Sequence, residues 1–133
     1  MIGYTMVGTN DLERSVAFYD ALFTEMAIER VWLDENAACW GKADEPLHPR
    51  FFTCLPFDER PASIGNGSMT AFLVDRPGRI DQLYRIALRQ GGSDEGPPGL
   101  RPEYSDTFHA AYVRDPDGNK LAFVHYGSAE DPT

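Results

Sequence analysis

The spacing of apolar residues predicts a first half in which one helix is followed by several strands. Residues 2–8 predict a strand. Helical spacing of apolar residues then continues to about residue 25, and Asn10 or Asp11 can cap the free amides where that helix begins. The strands predicted in the rest of this half are 28–33, 36–41 and 50–56.

The second half predicts the same order of elements. Residues 68–74 indicate a strand, and Asp75 can cap a following helix that tolerates Pro77 in its first turn. The segment Ser93–Glu103 is rich in glycine and proline and predicts mostly loop, with room for one short strand. From about 107 to 126, two runs of β-branched and aromatic residues flank a tight turn, which predicts a closing hairpin.

A weak internal repeat supports this division into halves. Met69 lies 65 positions after Tyr4, and the same offset relates several identical residues. The identical pairs are Thr5 with Thr70, Arg14 with Arg79, and Tyr19 with Tyr84. Each half is therefore predicted to be a βαβββ module. The predicted parts of this single domain are a first module at about 1–57, a linker at about 58–67, a second module at about 68–127, and a frayed tail at 128–133.

Three segments carry a resemblance to a known superfamily. They are NDLERSVAFYDAL from Asn10, GNGSMTAF from Gly65, and AYVRDPDGNKLAFV from Ala111. Taken together and in this order, they resemble the vicinal-oxygen-chelate superfamily, which includes glyoxalase I, bleomycin-resistance proteins and extradiol dioxygenases. The resemblance implies an α+β glyoxalase/bleomycin-resistance-like fold, in which two βαβββ modules form curved mixed sheets around a cavity.

The resemblance also identifies the positions where metal-dependent relatives carry their ligands. Those positions are occupied here by Tyr4, Met69 and Ala122, and a fourth falls nearest Phe52 or Cys54. Neutral phenol and thioether groups are poor ligands for hard divalent cations, and alanine offers no ligand atom. We therefore predict no metal at the family site and no cofactor. A divalent metal is expected only if the chain is a metal-dependent lyase or dioxygenase whose ligands lie elsewhere.

The sequence gives little support for other catalytic centres. The three histidines are not in an HxH, HxxxH or HExxH spacing, and no GxSxG or CxxC motif is present. Both cysteines are predicted to be buried thiols. Acid–base catalysis is compatible with the sequence, but the sequence does not identify its catalytic residues. The side chains able to take part are Tyr4, Glu103, Tyr104, Asp106 and His109.

Strand parity and the resemblance together predict a ligand pocket with an apolar, aromatic lining. The candidate lining residues are Tyr4, Met6, Trp40, Phe52, Cys54, Met69, Ala71, Ala122, Val124 and His109. Methionine and tyrosine adapt to flat organic molecules, and the tyrosine hydroxyl adds a polar contact. The alternative is that these side chains simply fill the barrel as core.

Composition and charge exclude several partners. With 133 residues, 42% of them hydrophobic and 25% charged, the chain suits one globular domain. A net charge of −9 disfavours nucleic acid and anionic membrane surfaces, and would suit a cationic ligand. No apolar run reaches the length of a membrane span, and residues 1–4 lack the features of a signal peptide, so a cytoplasmic location is expected.

Three functions follow as hypotheses. The first is a metal-independent binder of a small organic molecule, similar to the bleomycin-resistance branch. The second is a lyase of the glyoxalase type or a dioxygenase, which rests on the resemblance alone. The third is a degenerate module with a structural or regulatory role. We also expect a homodimer, because half-barrel modules expose strand edges, and an outer-face residue such as Phe123 would be buried between the subunits.

Overall fold

The computed structural model describes residues 1–127 and folds them into eight strands and two helices. In chain order the elements are β1 (Tyr4–Gly8), α1 (Leu12–Glu25), β2 (Glu29–Leu33), β3 (Ala37–Gly41), β4 (Arg50–Cys54), β5 (Thr70–Leu73), α2 (Pro77–Arg89), β6 (Ser93–Leu100), β7 (His109–Arg114) and β8 (Lys120–His125). The tail predicted to fray, residues 128–133, lies outside the described residues. Neither helix of residues 1–127 has the length and apolar character needed to cross a bilayer.

The strands of residues 1–127 form two four-stranded sheets with matching topology. The first has the order β1-β4-β3-β2 and the second β5-β8-β7-β6. In each sheet the opening strand pairs in parallel with the last strand of its module, and the remaining pairs are antiparallel. The predicted α+β class and the predicted βαβββ repeat are both confirmed.

One hydrophobic core joins the two modules. Both helices bury their apolar side chains against one face of the sheets, and buried residues of both modules form a single cluster. Phe23 of α1 and Phe51 of β4 each contact Phe72 of β5, with ring centroids 5.4 and 5.2 Å apart. Phe123 is fully buried in the same core. It is therefore unavailable to a partner subunit, and that expectation for Phe123 is wrong.

The two helices begin differently. Asp11 caps α1 by accepting a hydrogen bond from the Arg14 amide at 3.0 Å, which agrees with the predicted helix start. At α2 the capping position is Arg76, which makes no side-chain cap bond. Asp75, predicted as the cap, instead pairs with Arg79 at 3.4 Å. Pro77 supplies a suitable first helical residue without that cap.

Strand β6 occupies most of the segment between α2 and the closing hairpin, where a loop with one short strand was predicted. It is eight residues long and pairs with β7, with register shifts on both sides of Gly96. Pro97 and Pro98 are tolerated because β6 is the edge strand of its sheet. Bulges and prolines interrupt the alternating pattern by which a strand is normally predicted, so the predicted strand was too short.

The turn between β7 and β8 is built around the buried carboxylate of Asp115, which is 3% exposed. Its Oδ1 accepts the backbone amides of Asp117 and Asn119 at 3.0 and 2.9 Å. Its Oδ2 accepts the Asn119 side-chain amide at 2.9 Å and the Tyr19 hydroxyl at 2.6 Å. Because Tyr19 belongs to α1, this carboxylate links the second module to the first.

Asp117 makes a second link across the same boundary. It accepts the Thr9 hydroxyl at 2.5 Å and the Asn10 amide at 3.0 Å, and it pairs with Arg14 at 3.0 Å. These partners surround the start of α1, where a carboxylate is also favoured by the helix dipole. The 115–119 turn therefore fixes β8 relative to the first module.

Candidate functional site

Each sheet turns one face to the helices and leaves the opposite face open. On β8, Leu121 and Phe123 belong to the shared core. Ala122 and Val124 form a separate small cluster on the other side with Ala110 of β7. Successive side chains of a strand point to opposite faces, so this parity defines what we call the open face of each sheet.

A cavity of about 770 Å³ lies on the open face of the second sheet. Its apolar and aromatic lining includes Met69, Tyr104, Phe108, Tyr112, Val124 and Tyr126. The rings of Phe108 and Tyr126 pack with centroids 5.5 Å apart, and Tyr104 meets Phe108 edge to face at 5.9 Å. Aromatic walls with polar hydroxyls are typical of small-molecule sites.

Charged side chains enter the same cavity. Its lining contains Glu95, Arg101 and Lys120. Glu95 is already paired with Arg114, with 3.0 Å between Oε1 and Nε. The two cations flank Tyr112: the Arg101 guanidinium carbon lies 5.5 Å and the Lys120 ammonium 5.7 Å from the ring centroid. Both distances are within the range of cation–π contacts.

Four of the predicted pocket residues belong to this site. Met69, Ala71 and Val124 line the cavity. Ala122 lies beneath it, fully buried, and pairs in register with Ala71 on one side and Tyr112 on the other. The open face of the second sheet is thus a floor of small residues with larger aromatic side chains around it.

Four of the five candidates of the first module lie on the open face of the other sheet. Tyr4 contacts Phe52 with ring centroids 5.2 Å apart, and Met6 pairs in register with Phe52. Cys54 follows on the same face of β4. Tyr4 is 62% and Met6 50% exposed, so within the described chain these side chains do not fill a core. Met6 and Met69 do line one smaller cleft of about 220 Å³ between the modules.

Two predicted pocket residues lie elsewhere. Trp40 is 1% exposed within the shared core, where its indole Nε1 donates to Asp20 at 2.9 Å. Parity on β3 instead brings Cys39 to the open face beside Phe52. His109 lies near the start of α2, in a small cavity with Ile80. Ala110, the next residue of β7, belongs to the open face, so His109 points to the opposite face.

The open faces do not offer a ligand set for a divalent metal. In the described part of the chain, no group of three or more His, Cys, Asp or Glu side chains is arranged to hold a metal ion. Tyr4, Met69 and Ala122 lie on the open faces at the positions inferred for family ligands, and they supply a phenol, a thioether and no donor. The residues present therefore do not fit a hard divalent cation at that site.

The two thiols are not activated as nucleophiles. Burial raises the pKa of the Cys39 thiol, although the charge of Arg50 opposes the shift. Burial also raises the pKa of Cys54. Both cysteines are free, and both thiols are mostly protonated near neutral pH.

Sequence reasoning did not include several residues that shape the cavity. Tyr112 and Lys120 follow the same strand parity as Ala122, so their position was predictable once that parity was extended to polar side chains. Glu95 and Gly96 were not predicted as lining residues, because the segment from Ser93 was predicted to be mostly loop and gave no strand parity to apply. An added Cβ at Gly96 would lie 3.0 Å from the Tyr112 ring, so glycine leaves room for that ring.

Comparison with known proteins agrees with this fold and places the chain in a family. A family model described as the Glyoxalase/Bleomycin resistance protein/Dioxygenase superfamily matches residues 1–123. A glyoxalase/bleomycin resistance protein from Albidiferax ferrireducens T118 is 35% identical, with a TM-score of 0.84 over 94% of this chain and 98% of that chain. The chain belongs to the glyoxalase/bleomycin resistance protein/dioxygenase superfamily.

More distant structures share the fold. A glyoxalase-related enzyme from Fulvimarina pelagi is 20% identical, with a TM-score of 0.72 over 94% of this chain and 87% of that chain. A lactoylglutathione lyase from Agrobacterium tumefaciens is 19% identical, with a TM-score of 0.66 over 94% and 92%. A search of curated proteins gives no significant match.

Proposed function

We propose that this protein binds a small organic molecule in the cavity of the second module, without a metal at the family site. The observation that carries the proposal is the cavity of about 770 Å³ with aromatic walls and a floor of small residues. Sites of this size and lining hold drug-sized ligands in many proteins. The unsuitable donor set on the open faces favours binding over a metal-dependent lyase or dioxygenase reaction.

Met69 provides the direct test. Its side chain is 47% exposed within residues 1–127 and lines the cavity, so Met69→Trp adds bulk to the cavity and not to the core, and should leave the melting temperature close to that of the native chain. A thermal-shift screen of small aromatic compounds should yield compounds that stabilise the native chain by mass action and fail to stabilise M69W. Leu47→Trp is the matched control, because Leu47 is an exposed apolar residue outside this cavity.

The possible results separate the proposal from its alternatives. Compounds that stabilise the native chain and L47W but not M69W support the cavity as the binding site. Stabilisation that persists in M69W would place binding elsewhere. A complete absence of stabilising compounds would favour the structural or regulatory alternative.

We further propose that the working form is a homodimer in which a second copy covers the open face of the first sheet. Within residues 1–127 that face leaves Tyr4, Met6 and Trp32 largely exposed. Clustered apolar exposure on a sheet face marks an interaction surface. The internal repeat makes a second copy the natural partner, because its second module presents an open sheet face of the same topology.

The dimer is tested by a charge on the open face. Met6→Glu should convert a dimeric mass into a monomeric one in light scattering, because the carboxylate would be desolvated at the interface. Leu47→Glu, at an exposed loop position, should remain dimeric. A monomeric mass for the native chain at micromolar concentration would refute the dimer.

A further inference from the structure

The cavity of the second module contains more positive than negative charge, although the chain as a whole is strongly acidic. Of its three charged lining residues, Glu95 is neutralised by the ion pair with Arg114. Arg101 and Lys120 take part in none of the ion pairs of residues 1–127. The net charge of −9 therefore does not describe this site.

Lys120 is the less engaged of the two cations. The Arg101 guanidinium donates to the carbonyls of Pro97 and Leu100, which occupies part of its hydrogen-bonding capacity with the backbone. For the Lys120 ammonium, the contact found within residues 1–127 is the one with the Tyr112 ring, and no hydrogen bond or ion pair accompanies it. Lys120 is half-buried, and the three N–H donors of its ammonium can bind an anion that enters the cavity.

We infer that the ligand is a small organic anion with a planar aromatic body, such as an aromatic carboxylate. This inference rests on the proposed function, because it assigns the ligand class of the same cavity. The rings of Phe108 and Tyr126 would contact the planar body, while Lys120 and Arg101 would bind the carboxylate. The negative face of the Tyr112 ring holds both cations on the cavity side of the sheet.

Three compounds that share the naphthalene ring and carry a negative, a neutral and a positive substituent of similar size test the inference: 2-naphthoate, 2-naphthamide and 2-naphthylmethylammonium. Isothermal titration calorimetry at low salt should give a dissociation constant for naphthoate about tenfold below that for naphthamide, with the ammonium compound weakest. Raising the salt concentration should reduce the preference for naphthoate.

Substitution of the cations identifies their contribution. Lys120→Gln should bring naphthoate and naphthamide to similar affinities while leaving naphthamide binding unchanged. Lys42→Gln is the matched control, since Lys42 is the only other lysine of the chain and lies outside this cavity. Arg101→Gln provides a second variant, and circular dichroism checks that each variant is folded.

A preference for naphthoate that disappears in K120Q or R101Q and persists in K42Q supports the inference. Equal binding of all three compounds, or strongest binding of the ammonium compound, overturns the anion inference and leaves the cavity as a binding site. A preference for naphthoate that survives both K120Q and R101Q overturns the assignment of the cations. Failure of all three compounds to bind overturns the inference together with the proposed cavity function.

Discussion

Replacement of Asp115 by asparagine should be among the most destabilising conservative changes in this chain. The carboxylate is buried, and it accepts four hydrogen bonds from Tyr19, Asp117 and Asn119. The two bonds from backbone amides to Oδ1 can survive in the variant. At Oδ2 the new amide group would face the side-chain amide of Asn119, which is also a donor, so that this bond is lost and the bond to Tyr19 loses its charge.

The magnitude follows from those two bonds. A hydrogen bond to a charged group contributes about 1.5–3 kcal/mol, and an unsatisfied buried donor costs about 1–3 kcal/mol. The Tyr19 hydroxyl can accept from the new amide, which recovers part of the loss. We expect the free energy of unfolding to fall by about 3 kcal/mol, which for a chain of this size lowers the melting temperature by about 10 °C.

The measurement is urea unfolding at one fixed protein concentration, followed through tryptophan fluorescence, which should change as the buried Trp40 becomes exposed. Asp34→Asn is the matched control, because Asp34 also accepts two backbone amides in a turn but lies at the surface. Asp34→Asn should have a much smaller effect. If the two variants lose similar stability, or if D115N loses less than about 1 kcal/mol, the 115–119 turn does not hold the modules together as argued.

Three further predictions concern ionisation and metal content. The pKa of Tyr19 is raised, first by burial and then by the charge of Asp115, so the Tyr19 hydroxyl contributes its full stability below pH 10.0 and loses that contribution as the pH rises further. The difference in melting temperature between the native chain and Tyr19→Phe should therefore shrink from about pH 9 to about pH 11. A difference that stays constant over this range would contradict the prediction. Elemental analysis should find no stoichiometric divalent metal. About one tightly held ion per chain, lost in variants of the cavity residues, would contradict the conclusion that the open-face residues do not fit such a cation. Because burial raises the pKa of Cys54, its reaction with a thiol reagent should be slow at neutral pH and accelerate as the pH rises; equally fast reaction at neutral and alkaline pH would oppose that.

The order of elements was predictable because most of this chain follows a clear period. The helix from Leu12 and the closing hairpin around the 115–119 turn carry regular apolar spacing and unambiguous turn residues. Strand β6 has neither feature, because glycines and prolines take the place of alternating apolar residues. They are tolerated at the edge of a sheet, and only the three-dimensional pairing shows that β6 is an edge strand.

The lining of the cavity was harder to predict than the fold. Strand β3 is apolar on both faces from Ala37 to Trp40, so its sequence does not indicate which residues face the helices. The Phe23 and Phe51 rings decide this by packing against Trp40 in the core. On β8 strand parity correctly predicts that Ala122 and Val124 share the open face, and the same parity places the polar side chain of Lys120 there.

The same turn connects the stability of this fold with the chemistry of its cavity. Asn119 donates to the Gly8 carbonyl and to Asp115, so the backbone that precedes Lys120 is anchored to the first module. On β8, a metal-dependent relative would carry an anionic ligand that binds a cation. The present chain carries Ala122 at that position and the ammonium of Lys120 two residues earlier. A cavity lined in that way is suited to an anion held by fixed protein charges. Lys120 itself contributes little to the core, so its replacement should change ligand preference without the loss of stability expected for Asp115→Asn.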